Sequence, residues 1–150
     1  MKKLLFISLV FLGALSLASC KKTVQPSAFT PESTPYSASF IGTVQFKDEV
    51  SSATMPVGGD CVTVTAQLMN GNELVADWIF SAVPAADGKF GLTVPMKKGG
   101  EKSQKYAIKA VVRNPYGSEF VYESDPVIAT NVSSGQTKEL GNILCKKKEE

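Results

Sequence analysis

The alternation of apolar and polar positions divides the chain into three unequal parts. The first holds a single apolar run, Leu4 through Leu12 and on to Leu17, behind Met1-Lys2-Lys3. The second, Lys21 to Ser37, has no apolar period and is rich in Pro, Ser and Thr, with Pro26, Pro31 and Pro35 spaced to exclude a helix or a central strand. From Ala38 onward a period of two dominates and no stretch carries a helical stripe over three turns, which predicts an all-β fold. Phe40, Gly42, Val44 and Phe46 alternate with Ile41, Thr43 and Gln45, after which Met55-Pro56-Val57-Gly58-Gly59 breaks the chain. Val62, Val64, Ala66 and Leu68 then form one clear apolar face, and Asn70-Gly71 supplies a turn whose positive backbone angles these two residues tolerate. A strand over Leu74 to Phe80 carries large apolar groups on both faces. Asp87-Gly88 introduces Phe90, Leu92 and Val94, a strand ending at Pro95. After a loop from Lys97 to Ser103, Tyr106, Ile108, Ala110 and Val112 face one way while Lys105, Lys109 and Arg113 face the other. Asn114-Pro115-Tyr116-Gly117 turns into a strand around Phe120 and Tyr122, Pro126 opens a short segment ending near Thr130, and Gly135 leads to Leu140–Leu144. Seven or eight short strands at this spacing predict a Greek-key β-sandwich of the immunoglobulin/transthyretin-like type.

Length and composition fit one globular domain: 150 residues, 43% hydrophobic and 20% charged. The chain has no histidine, which removes the commonest general base and metal ligand and the usual partner of a catalytic Ser or Cys. A non-enzymatic protein without cofactor or metal is therefore expected. The formal charge of +2 includes Lys2 and Lys3; without them the chain has 16 − 2 = 14 basic and 14 acidic residues, a balance that offers nothing to nucleic acid.

A positive start, an apolar run of secretory length and small residues before a cut site describe a signal peptide over residues 1–19. Leu17-Ala18-Ser19-Cys20 resembles the lipobox of bacterial lipoproteins at all four positions. The resemblance implies cleavage before Cys20 and acylation of its sulfur and nitrogen, chemistry that requires a nucleophilic thiol. Two or more chains hold a protein stably on a membrane, where one is marginal. Residues 20–37 would then be the lipidated cysteine and its tether, spanning at most ~55 to 60 Å. Lys21 follows the cysteine where an acidic residue would favour inner-membrane retention, so the expected location is the cell envelope, anchored to the outer membrane and facing the periplasm.

Three segments of the sandwich, Pro56–Val64, Ala86–Pro95 and Ser134–Leu144, resemble in order and spacing the carboxypeptidase regulatory-like domain, a transthyretin-like (prealbumin-like) sandwich. The resemblance runs from about Phe40 to Leu144 and implies a non-catalytic accessory module with a protein partner in the envelope. It departs at Leu74–Val83, which is longer and more apolar than the pattern, and at Lys97–Ser103, which looks inserted.

Several residues invite a functional reading beside a plainer one. With Cys20 lipidated, Cys61 and Cys145 are the one remaining pair. By the period of two both point outward if their apolar neighbours point inward, and a bridge would close a loop of ~85 residues at on the order of 4 kcal/mol; two separate thiols are the alternative. Trp78, with Tyr116 and Tyr122, could form an aromatic strip for stacking a glycan, against the plainer readings of a core indole and tyrosines packed on the sheet. The acids Asp48, Glu49, Asp60, Asp87, Glu119, Glu123 and Asp125 do not fall into a calcium-loop spacing. Lys97, Lys98, Lys102 and Lys105 make a small basic patch, and residues 146–150 read as a charged tail. Two functions follow: a lipid-anchored interaction or spacer module, or a carbohydrate-binding lipoprotein working through exposed aromatics.

Overall fold

The computed structural model describes residues 33–49, 51–98 and 103–148, so the signal segment, Cys20 and most of the tether lie outside the described residues. Among the described residues there are nine strands and one turn of 3-10 geometry at Pro115–Gly117. Strand β1 (Ser33–Lys47) is flanked on one side by β5 (Lys89–Lys97) and, near its end, by β2 (Thr54–Pro56), both antiparallel; β9 (Thr137–Lys147) lies parallel to it on the other side. In the second layer β3 (Val62–Asn70) sits between β4 (Glu73–Ala82) and β6 (Gln104–Arg113), again antiparallel. Strands β7 (Val121–Ser124) and β8 (Val127–Val132) pair with successive parts of β6, and β7 also pairs with β9, so one curled sheet supplies both layers of an all-β sandwich. Eight of these strands lie where the sequence predicts a strand. The ninth, β2, lies in the segment read as a break.

The expected apolar faces form the core. Val62, Val64, Ala66 and Leu68 from β3, Phe90, Leu92, Val94 and Met96 from β5, and Tyr106, Ile108, Ala110 and Val112 from β6 are all buried. Strand β4, apolar on both faces in the sequence, buries only Trp78 and Phe80 and leaves Leu74 more than half exposed, as suits an edge strand. Three prolines lie within strands. Pro35 belongs to β1 ahead of its first pairing with β9 at Ser39, while Pro56 and Pro95 lie on β2 and β5, which pair with β1 alone. Each thus sits where a strand lacks one neighbour and a missing N–H is tolerated. Among the described residues β1 thus takes in Ser33 to Ser37, the last five residues of the segment expected to be tether, and β5 continues past Pro95 to Lys97.

Two irregularities set which side chains reach the core. Between Ile41↔Glu139 and Thr43↔Asn142, β9 carries one more residue than β1, with Gly141 in the left-handed region at φ 68°. The bulge inverts the alternation: Leu140 packs on the core, but beyond it Ile143 and Cys145 point inward and Leu144 is exposed. The second irregularity is Asp125-Pro126, where the strand opposite β6 breaks and β7 veers toward β9. The backbone of Ala110, left opposite the break, is satisfied by side chains: its N–H donates to Ser124 Oγ at 2.9 Å, and its carbonyl accepts from Cys145 Sγ at 3.7 Å.

The sandwich has two distinct ends. Where β1 begins, Ser33 pairs with Lys97, and the β3–β4 turn, the start of β6 and the β8–β9 turn gather around it. At the opposite end lie the β1–β2 and β4–β5 loops, the 3-10 turn and the C-terminal lysines of β9. Gly58, in the loop between β2 and β3, lets that loop lie against the β4–β5 loop. A Cβ there would fall 1.6 Å from the Ala85 carbonyl oxygen, so no larger residue fits without parting them.

Candidate functional site

The cleft at the β1-entry end, about 500 Å³, is floored by Leu68, Met69 and Val75 and rimmed by Lys97, Lys98 and Lys105. These are three of the four lysines singled out in the sequence; Lys102 lies outside the described residues. Beneath the rim Gln104, only 8% exposed, ties the ends of β5 and β6 together. Its amide Nε2 donates to the Lys97 carbonyl at 2.6 Å, and its Oε1 accepts from the Lys97 N–H at 3.3 Å and from the Tyr106 hydroxyl at 2.6 Å. Lys97 is therefore fixed through its backbone, and its Nζ stands 5.4 Å from the centroid of the Trp78 ring, a cation–π distance. Lys105 Nζ donates to the Gly71 carbonyl at 3.0 Å and to Asn72 Oδ1 at 3.3 Å. Among the described residues none of the three lysines forms an ion pair, although Glu73 and Asp77 are exposed on the neighbouring β4.

Under this cleft lies an aromatic cluster, not a binding platform. Trp78 is fully buried, edge-on to Phe80 at 5.6 Å, so its ring faces cannot receive a sugar. Of the two readings of Trp78 the core indole holds and the stacking platform does not: in a two-layer sandwich one face of each strand meets the other layer, and the indole lies on that face of β4. Burial pushes the Tyr106 hydroxyl up to about 12. The Trp78 indole N–H opposes that rise from nearby but has no partner in hydrogen-bond geometry among the described residues. Gln104 carried no signal in the sequence. A polar residue at the end of a lysine-rich loop looks solvated until the fold buries it.

The other two aromatic candidates separate. Tyr122 is 4% exposed and packs edge-on to Phe46 at 5.3 Å, which removes it as a ligand contact. Tyr116 is 80% exposed at the crest of the 3-10 turn, with φ 53°, a left-handed conformation that L-residues other than Asn, Asp and Gly seldom adopt. It overhangs a groove of about 370 Å³ shared with Phe46, Asp48 and Met55.

The cysteines also depart from expectation. Cys145 is free and fully buried, so it is not joined to Cys61. The bulge at Gly141 turned it inward, whereas strict alternation placed it outside. Burial first, and Glu123 second, push its thiol up to about 12, which leaves essentially no thiolate near neutrality. Cys61, immediately before β3, is half-buried.

Elsewhere five lysines meet carboxylates, while Lys47 and Lys138 have no ion pair among the described residues. Lys109 and Lys148 both reach Glu123, at 2.6 and 3.3 Å, Lys147 reaches Glu49 at 3.3 Å, Lys146 reaches Asp125 at 3.7 Å, and Lys89 reaches Asp87 at 3.1 Å. Hydrogen bonding to Lys109 holds the Glu123 carboxyl below the usual range, and hydrogen bonding to Lys89 does the same for Asp87. Among the described residues no group of three or more His, Cys, Asp or Glu side chains is placed to hold a metal ion.

No protein-family model matches the chain, and no curated protein matches it either. The likeness to the carboxypeptidase regulatory-like domain rests on the order of its three sequence segments alone.

Proposed function

We propose that the chain is a lipid-anchored protein of the bacterial cell envelope whose β-sandwich, resembling the carboxypeptidase regulatory-like domain, serves as a non-catalytic interaction or spacer module. The observation that carries the reading is Leu17-Ala18-Ser19-Cys20 at the end of an apolar run, followed by a Pro-rich segment that leads straight into β1. The absence of histidine from the sequence and the burial of the Cys145 thiol agree with a module that works by contact. The outer membrane is its place on the argument from Lys21, and a protein of the same envelope is its partner.

The test is metabolic labelling with a palmitate analogue, combined with the intact mass of the N-terminal peptide under non-reducing conditions. A mature chain beginning at an acylated Cys20, and loss of label in Cys20→Ala, are expected. The sulfur of Cys20 has one use: a thioether to lipid and a disulfide to Cys61 exclude each other. An unlabelled Cys20 peptide joined to the Cys61 peptide would overturn the reading.

Carbohydrate binding is the second reading, and Tyr116 is its remaining support, because that ring is exposed beside a groove. Titration of envelope glycan fractions against tyrosine fluorescence tests it. A change present in the parent chain and absent in Tyr116→Ala would favour it over the first.

A further inference from the structure

The register of β1 places the point where the chain enters the domain next to the cleft. Ser33 is the partner of Lys97, and Cys20 precedes Ser33 by a segment that spans ~45 Å at most. Lys89 and Lys97, at opposite ends of β5, stand roughly 27 Å apart at ~3.4 Å per residue. The cleft end is thus the end at which the segment from Cys20 joins the domain, and the ion-paired lysines of β9 lie at the other end. Lys97, Lys98 and Lys105 have no ion-pair partner among the described residues, while five ion pairs occupy the rest of the domain. Gln104 and Trp78 hold Lys97 in place before any ligand arrives, so little ordering remains to be done on contact.

We propose that this cleft end is a second membrane contact, in which Lys97, Lys98 and Lys105 bind the phosphates of anionic phospholipid headgroups on the membrane that holds the anchor. The proposal rests on lipidation of Cys20. An ammonium group meets phosphate as a point charge and needs no bidentate geometry, and several lysines near an anionic surface add their attractions. The contact orients the sandwich, cleft down, and leaves the far end with Tyr116 directed toward the envelope space.

The experiment uses the mature, full-length protein in vesicles of phosphatidylcholine alone and of phosphatidylcholine mixed with phosphatidylglycerol. Flotation with the zwitterionic vesicles reads the anchor by itself; acetylation rates of individual lysines, followed by mass spectrometry, read the cleft. Lys98 and Lys105 are expected to react about fivefold more slowly in the anionic vesicles, a protection that high salt removes, with Lys89 and Lys146 unchanged. Lys98→Gln/Lys105→Gln, which leaves Lys97 over Trp78, should abolish the protection remaining at Lys97 without altering flotation. Equal rates at both ends in anionic vesicles would overturn the membrane contact and leave the anchor standing. Protection by inorganic phosphate in zwitterionic vesicles, matching that from phosphatidylglycerol, would also overturn it in favour of a small-anion site. Failure to float would remove the anchor and this contact together.

Discussion

At the end of the sandwich where β1 begins, Lys97, Lys98 and Lys105 surround a cleft with no ion-pair partner among the described residues. At the opposite end Lys89, Lys146, Lys147 and Lys148 each meet an Asp or Glu within 3.7 Å. Exposed ion pairs of the second kind contribute little stability, about 0 to 1 kcal/mol each, because solvent screens them and ordering two side chains opposes them. Their effect is to cancel local field. Pairing is therefore uneven along the domain, which a net charge cannot reveal. The ends differ in what lies beneath them as well. Under the cleft are Trp78, Tyr106 and Gln104, all buried, whereas the crest of the far end is Tyr116, exposed and left-handed.

Substitutions sharpen this contrast, and the largest effect belongs to the buried end. Trp78→Ala should cost about 3–5 kcal/mol in denaturant unfolding, because it empties the core beneath Lys97. A loss under about 1 kcal/mol would mean that the cleft has no firm floor. Gln104→Ala removes the acceptor of the buried Tyr106 hydroxyl and both links to Lys97, and a loss of about 1–3 kcal/mol is expected. Unchanged stability, with unchanged amide exchange at Lys97, would show that the clamp does not hold β5 to β6.

At the paired end the changes are smaller. Glu123 has its carboxyl pKa lowered in the folded state, so the stability it confers is fully present above the ordinary glutamate range and is lost as pH falls through the depressed folded value. Its side chain is a quarter exposed, and screening limits the contribution to about 0.5–1 kcal/mol. Unfolding measured from pH 7 downward should accordingly show a shallower acid loss in Glu123→Gln than in the parent chain; parallel curves would assign no net value to the pairs with Lys109 and Lys148. Smallest of all, Tyr116→Ala should leave stability within about 0.5 kcal/mol, since the ring is exposed and sits on a turn. A larger cost would mean that its tilted contact with Phe46, at 5.9 Å, supports the far-end loops.

Local alternation made most of the architecture legible. The β3, β5 and β6 faces could be read residue by residue because side chains on a strand alternate strictly and those strands bury one face. The basic patch was legible too, since its lysines are close in sequence. What failed did so at interruptions of that period. One extra residue at Gly141 inverted the tail of β9 and carried Cys145 into the core, and no sequence rule marks a bulge in a parallel pair. Trp78 could be assigned to neither face of β4 from a segment apolar on both sides; the layer packed beneath it decided. Prolines 35, 56 and 95 looked like breaks until pairing showed that each has an open side.

By itself, then, the sequence determined the period of two and hence an all-β chain, the positions of its turns, the lack of histidine chemistry and the lipobox-like segment ending at Cys20. These are local properties, fixed by the stereochemistry and charge of neighbouring residues. The tertiary structure decided which lysines are neutralised, which aromatic rings are buried and which thiol is inert. Each of those depends on groups far apart in the chain, brought within a few ångströms only when the two layers close: Lys147 beside Glu49, Lys97 above Trp78, and Cys145 against the carbonyl of Ala110.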